Sequence, residues 1–225
     1  MIPLRDTIKS KTVPYVNYIL ISLCGAVFLY ELSLGGRVSH FISVTAVTPA
    51  DISASLLQGH IAVRPLLTLF SSMFLHGGWM HLLGNMLYLY IFGDNVEDRL
   101  GHGAYLVFYL LCGAGSALAQ VYAQPDSPVP LIGASGAISG VLGAYFLLYP
   151  RARVLTLIPL FVFFPVVEVS AFFFLGFWFL LQFLQGAISM TGGEAAAGGV
   201  AWWAHAGGFV AGAVLLPVFL LLRRL

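Results

Sequence analysis

Apolar residues run along this chain in blocks too long for strands and too continuous for one-faced helices, with polar residues gathered between the blocks. A helix needs about 20 predominantly apolar residues to cross the hydrocarbon core of a bilayer. Six stretches reach or approach that length: about 14–34, 77–93, 103–123, 131–149, 170–189 and 201–222. The second is short by itself, and the apolar run 66–75 ahead of it is placed to lengthen it or to lie at the interface. Turn-forming and charged residues fill the separators 93–103 (GDNVEDRLGHG), 124–130 (QPDSPVP) and 191–199 (TGGEAAAGG). Segment 152–168 is apolar, but Pro159 and Pro165 interrupt it and Arg151, Arg153 and Glu168 bracket it. It is expected as a short interfacial hairpin, not a seventh span. The expected fold is all-α, a polytopic membrane protein of six transmembrane helices forming a single membrane domain over 1–225. Residues 1–13 form its N-terminal tail.

Composition agrees. Of 225 residues, 60% are hydrophobic and 8% charged, where a soluble domain carries roughly a quarter charged. A net charge of +1 without a basic stripe leaves no footprint for nucleic acid. Cys24 and Cys112 fall inside apolar spans and read as small buried hydrophobes. Arg5, Lys9 and Lys11 ahead of the first apolar run resemble the start of a signal peptide. That run is too long for one, and no small-x-small cleavage site follows, so it is expected as a retained helix.

Lys and Arg orient the spans. With six helices and the N-terminus inside, Arg5, Lys9, Lys11, Arg99, Arg151, Arg153, Arg223 and Arg224 are internal, and only Arg37 and Arg64 are external. Both termini are expected to be cytoplasmic, and the connection 35–76 external.

In that topology His81, Asn85, Ser135 and His205 converge on one depth, roughly 5–12 Å below the outer surface at 1.5 Å per residue. Unpaired polar groups in lipid are costly, so they face each other or a wet cavity. The ordinary role of a serine in a membrane helix is a bond to a carbonyl one turn back, and Ser139 fits that role. Ser135 differs in its company. His205 has the chemistry of a general base at neutral pH, and with no aspartate nearby a Ser–His pair is favoured over a triad. His81 and Asn85, four residues apart, share a helical face from which they could donate to an oxyanion. Small residues help the meeting: Gly136 and Gly140 recur at four-residue spacing in one span, as do Ala204, Gly208 and Gly212 in another, which lets backbones approach. His76 reads as organising the loop before Gly77, and His40, His60 and His102 read as loop residues. No metal-binding pattern accompanies these histidines.

Together, His81-x-x-x-Asn85, Gly133-Ala134-Ser135-Gly136, Ala204-His205-x-Gly207-Gly208 and the run 93–101 resemble the rhomboid intramembrane serine proteases over about residues 65–215. The resemblance implies a six-helix rhomboid-like bundle with Ser135 as nucleophile and His205 as general base. It implies an oxyanion hole of His81, Asn85 and the Ser135 backbone N–H, and structural roles for Glu97 and Arg99. It implies no cofactor, and single-span membrane proteins as substrates, cut in or beside the bilayer. One departure is visible: the Trp-Arg of many bacterial members aligns with Leu67-Thr68, with Arg64 out of register. A mobile cap at 191–200, a lateral gate at 172–178 and residence in a bacterial inner membrane complete the expectation. A transporter would want polar residues through the inner halves of the spans as well. A non-catalytic relative would lack Ser135 or His205.

Overall fold

The computed structural model describes residues 1–57, 63–197 and 200–223, the side chains of 191–197 excepted. His60, Arg224 and positions 198–199 of the expected cap lie outside these residues. Nine α-helices are described: α1 (Tyr15–Ser33), α2 (Val38–Thr45), α3 (Pro49–Leu57), α4 (Val63–Ser71), α5 (Trp79–Leu100), α6 (His102–Ala123), α7 (Ser135–Leu148), α8 (Ala171–Ala197) and α9 (Trp202–Leu222). Three strands accompany them: β1 (Ile2–Asp6), β2 (Arg153–Leu157) and β3 (Val166–Ser170).

Four helices, α1, α6, α8 and α9, are long and apolar enough to cross a membrane; α8 qualifies over Ala171–Met190. The chain is thus a polytopic helical membrane protein, though the count of six spans does not follow directly. The stretch ahead of α5 does not lengthen it, because the helical segment Val63–Phe74 meets α5 at 84°. Helix α7 has 14 residues, about 21 Å against a hydrocarbon core of about 30 Å. It is short because the chain before it is held extended: Leu131 N–H donates to the Val47 carbonyl at 2.7 Å, and Gly133 N–H to that of Ser72 at 2.9 Å. Every residue from Gly136 to Tyr145 is buried, so α7 sits in the middle of the bundle, sheltered from lipid.

Two separators are helical where the composition suggested turns. Helix α5 continues to Leu100, and the break comes only at Gly101, with φ of 85°. The polar residues of 94–100 find long-range partners instead of water. Glu97, fully buried, accepts from the backbone N–H groups of Asn17 at 2.7 Å and Val16 at 3.0 Å and from His102 Nδ1 at 2.5 Å. It thereby caps the otherwise unsatisfied start of α1. His102 accordingly opens α6, and His40 lies in α2. Arg99 contributes its carbonyl, which accepts from Arg223. Likewise α8 runs on to Ala197, through most of the glycine-containing separator.

The hairpin at 153–170 carries a finding that the apolar pattern did not announce. Strand β2 pairs antiparallel with β3 and also with β1, so the N-terminal tail supplies a third strand. Val154 joins the main core, whose centre is the buried set Phe92, Tyr105, Phe108, Tyr109, Tyr145 and Phe174. Cys24 and Cys112 are buried and unbonded to each other.

Candidate active site

The short central helix sets the geometry. Ser135 is its first residue, not one turn in as the apolar stretch 131–149 implied, and the adjoining Gly133 has φ of 119°. His205 lies in the first turn of α9. The two helices touch backbone to backbone: a Cβ on Gly208 would come within 2.2 Å of the Gly136 carbonyl oxygen, and one on Gly212 within 1.9 Å of that of Gly140. Facing α6, a Cβ on Gly136 would lie 2.0 Å from Ser116 Oγ and one on Gly140 2.3 Å from Cys112 Cβ. Any larger residue would force these backbones apart.

At that approach His205 Nε2 lies 2.8 Å from Ser135 Oγ. The other ring nitrogen, Nδ1, lies 2.7 Å from Oε1 of Gln182 on α8. An amide oxygen accepts only, so Nδ1 carries the proton and Nε2 is left to accept the serine hydroxyl. Trp178, one turn before Gln182, lies along the imidazole at 6.1 Å between centroids. Gln120 of α6 accepts the Ala204 N–H at 3.1 Å, satisfying one of the open donors at the start of α9 beside His205. Ser139 donates to the Ser135 carbonyl at 2.6 Å, one turn back.

Across from the serine, His81 and Asn85 lie on the first two turns of α5. Asn85 is buried, and its Nδ2 has no hydrogen-bond partner. His81 Nδ1 accepts a long bond from Gly77 N–H at 3.4 Å, which directs the ring's proton to Nε2. A Cβ on Gly133 would fall 2.6 Å from His81 Nε2 and 3.6 Å from Asn85 Nδ2, so both nitrogens crowd the backbone just before Ser135. The four residues line a cavity of about 590 Å³ and a neighbouring one of about 300 Å³, which share the Ser135–His205 pair between them. Val200, the last residue of the expected cap, and Ala201 just after it line the larger cavity. Of the expected gate, Phe172, Phe173 and Phe177 are exposed, whereas Trp178 turns inward to His205. His76 ties down the turn before α5, its N–H donating to the buried Glu31 at 3.2 Å. Among the described residues, no three His, Cys, Asp or Glu side chains gather closely enough to hold a metal ion.

Gln182 and Gln120 escaped the sequence reasoning. The signal for both was present, since each is an amide in an apolar span, Gln182 with Gln185 three residues on, where an unpaired polar group is costly.

A family profile described as "Rhomboid domain" matches residues 64–222. The chain is 46% identical over 71 residues to "Rhomboid protease GluP" of Bacillus subtilis (strain 168), a match covering 31% of this chain and 13% of that protein. It is 30% identical over 138 residues to "Rhomboid protease AarA" of Providencia stuartii, covering 56% and 47%. It is 36% identical over 76 residues to "RHOMBOID-like protein 5" of Arabidopsis thaliana, covering 34% and 25%. The chain therefore spans less than half the length of each of these relatives.

Proposed function

Since the chain belongs to the rhomboid family, we propose that it is an intramembrane serine endopeptidase acting through Ser135 and His205. The observation that carries this reading is the 2.8 Å contact between Ser135 Oγ and a His205 ring whose proton is held on Nδ1 by Gln182. His205 Nε2 takes the hydroxyl proton as Ser135 Oγ attacks a substrate carbonyl. The C–N bond then breaks, and His205 returns the proton to the departing amine. Water, activated by the same imidazole, hydrolyses the acyl-enzyme and frees Ser135. The developing oxyanion is held by Asn85 Nδ2, His81 Nε2 and the Ser135 backbone N–H, the last of these open because α7 begins there. Asn85 needs no rearrangement to donate, because its amide is buried without a partner.

The substrates are single-span membrane proteins. Their carbonyls are tied up in helical hydrogen bonds, so cleavage favours segments that unwind at the end entering the cavity. Glu97 and the glycines Gly136, Gly140 and Gly208 serve the site by holding helices, and Arg99 by anchoring Arg223. The excess of Lys and Arg supports cytoplasmic termini with the cavity on the opposite side, and the proposed residence is a bacterial inner membrane. A fluorophosphonate probe tests the reading: labelling of the folded protein at Ser135, lost in Ser135→Ala, is expected, together with cleavage of members of a transmembrane substrate panel by wild type only. Equal labelling or cleavage by Ser135→Ala would overturn it.

A further inference from the structure

We infer that the β2–β3 hairpin is a membrane wedge, its tip at 160–164 inserted in the lipid leaflet at the end of the bundle opposite Ser135. This goes beyond catalysis and does not depend on it. From Ile158 to Val167 the chain carries no polar side chain. Its tip is not buried by the protein: Phe161 is fully exposed, and Val162 and Phe163 are 78% and 72% exposed. With Leu160 and Phe164 also exposed, the patch reaches on the order of several hundred Å², the size at which apolar surface marks an interaction site.

The backbone of the tip points the same way. Leu160 and Phe163 exchange both hydrogen bonds at 2.8 Å, which leaves Phe161 and Val162 as a two-residue turn. Phe161 adopts φ of 52°, at a position of such turns ordinarily given to glycine or asparagine. An aromatic ring is kept there in spite of the backbone's preference.

Lipid is the occupant because of where the hairpin is tied. It leaves from the end of α7, and β3 enters α8 without a linker; α8 is one of the helices able to cross the membrane. One face of the sheet is closed against the bundle, with Val154 and Thr156 fully buried and Asp6 bonded to Tyr145 and Asn95. A sheet held by its face lies across the end of the bundle, which carries its tip sideways over the surrounding lipid. The charges complement that surface. Arg151 and Arg153 lie at the base of the sheet and Arg5 at its middle, three cations against two acids, Glu168 and the half-buried Asp6, a collar suited to anionic headgroups. In register, Ile2 pairs with Leu157 and Leu157 with Val166, so the exposed Ile2 and Val166 flank the half-buried Leu157 at the end of the sheet nearer the tip.

The test uses the full chain in vesicles of phosphatidylcholine and phosphatidylglycerol, with an environment-sensitive fluorophore on Phe161→Cys. Cys24 and Cys112 are fully buried, so brief labelling of the folded parent supplies the background. Expected are blue-shifted emission, several-fold weaker quenching by aqueous iodide than for the same fluorophore at Asp126→Cys, and strong quenching by lipids brominated in the upper acyl chain. Iodide quenching equal to that control would overturn the proposal. So would shielding that disappears on dilution of protein in excess lipid, which would assign the tip to a second copy of this chain. Val162→Cys repeats the measurement at a neighbouring exposed side chain, should the first variant misfold.

Discussion

The strongest lever on the proposed chemistry is Gln182, because its only described polar contact is to the His205 ring. Replacing it with leucine keeps the volume nearly constant and removes the oxygen 2.7 Å from His205 Nδ1. Position 182 is buried at the wall of the smaller cavity, and leucine there presents no polar group to hold a water in the oxygen's place. Leaving a buried N–H unsatisfied costs about 1–3 kcal/mol. That cost falls on the state in which Nδ1 bears the proton, the tautomer competent to accept from Ser135, and it persists as the ring becomes doubly protonated in the transition state. At 1.36 kcal/mol per tenfold, kcat should fall about 10- to 100-fold. Because Gln182 meets the ring on the side away from Ser135, KM should stay within about twofold, the mark of an interaction made in the transition state. Gln182→Glu retains an acceptor oxygen and should recover most of the loss. The assay is single-turnover cleavage of a transmembrane substrate, with the rate of fluorophosphonate labelling measured in parallel. The labelling rate reports activation of Ser135 without substrate docking, and should fall by the same factor. Wild-type labelling by Gln182→Leu, or a loss confined to KM, would refute the reasoning.

Other perturbations separate catalysis from packing. Asn85→Ala removes a proposed oxyanion donor and should lower kcat by about 10²- to 10³-fold; because Nδ2 is already buried and unpartnered, the unfolding temperature should hold or rise, and a fall of several degrees would count against the assignment. Gly212→Ala places a Cβ 1.9 Å from the Gly140 carbonyl and should destabilise by about 1–3 kcal/mol, as overpacking does, with denaturant titration as the check. Burial lifts the Asp6 carboxyl above its ordinary value, against the opposing hydrogen bond from Tyr145. The protonated form is then the one the fold favours, so its contribution is complete below about pH 4 and fades as pH rises through the higher folded value. Thermal unfolding followed from pH 4 to 7 should show that decline, and Asp6→Asn should flatten it; an unchanged slope would remove Asp6 from the account.

What the sequence determined by itself is whatever the bilayer enforces residue by residue. Apolar runs long enough to span are legible because lipid leaves backbone groups no partner but their own helix. Ser135, His205, His81 and Asn85 stand out because a polar side chain in such a run is expensive unless it has a purpose. The tertiary structure decided everything that rests on partners distant in the chain. Residues 94–100 look like a turn by composition, yet Glu97 accepts from Asn17 and His102, and Asn95 Nδ2 donates to Asp6, so the helix continues. Strand β1 pairs with residues about 150 positions away, which no local pattern encodes. Pairing of Leu131 with Val47 shortened α7 and put Ser135 at its very start. The tautomer of His205 was set by Gln182, 23 residues earlier on another helix. Solvent acts on each residue where it stands, whereas a hydrogen bond between helices exists only once packing has chosen their register.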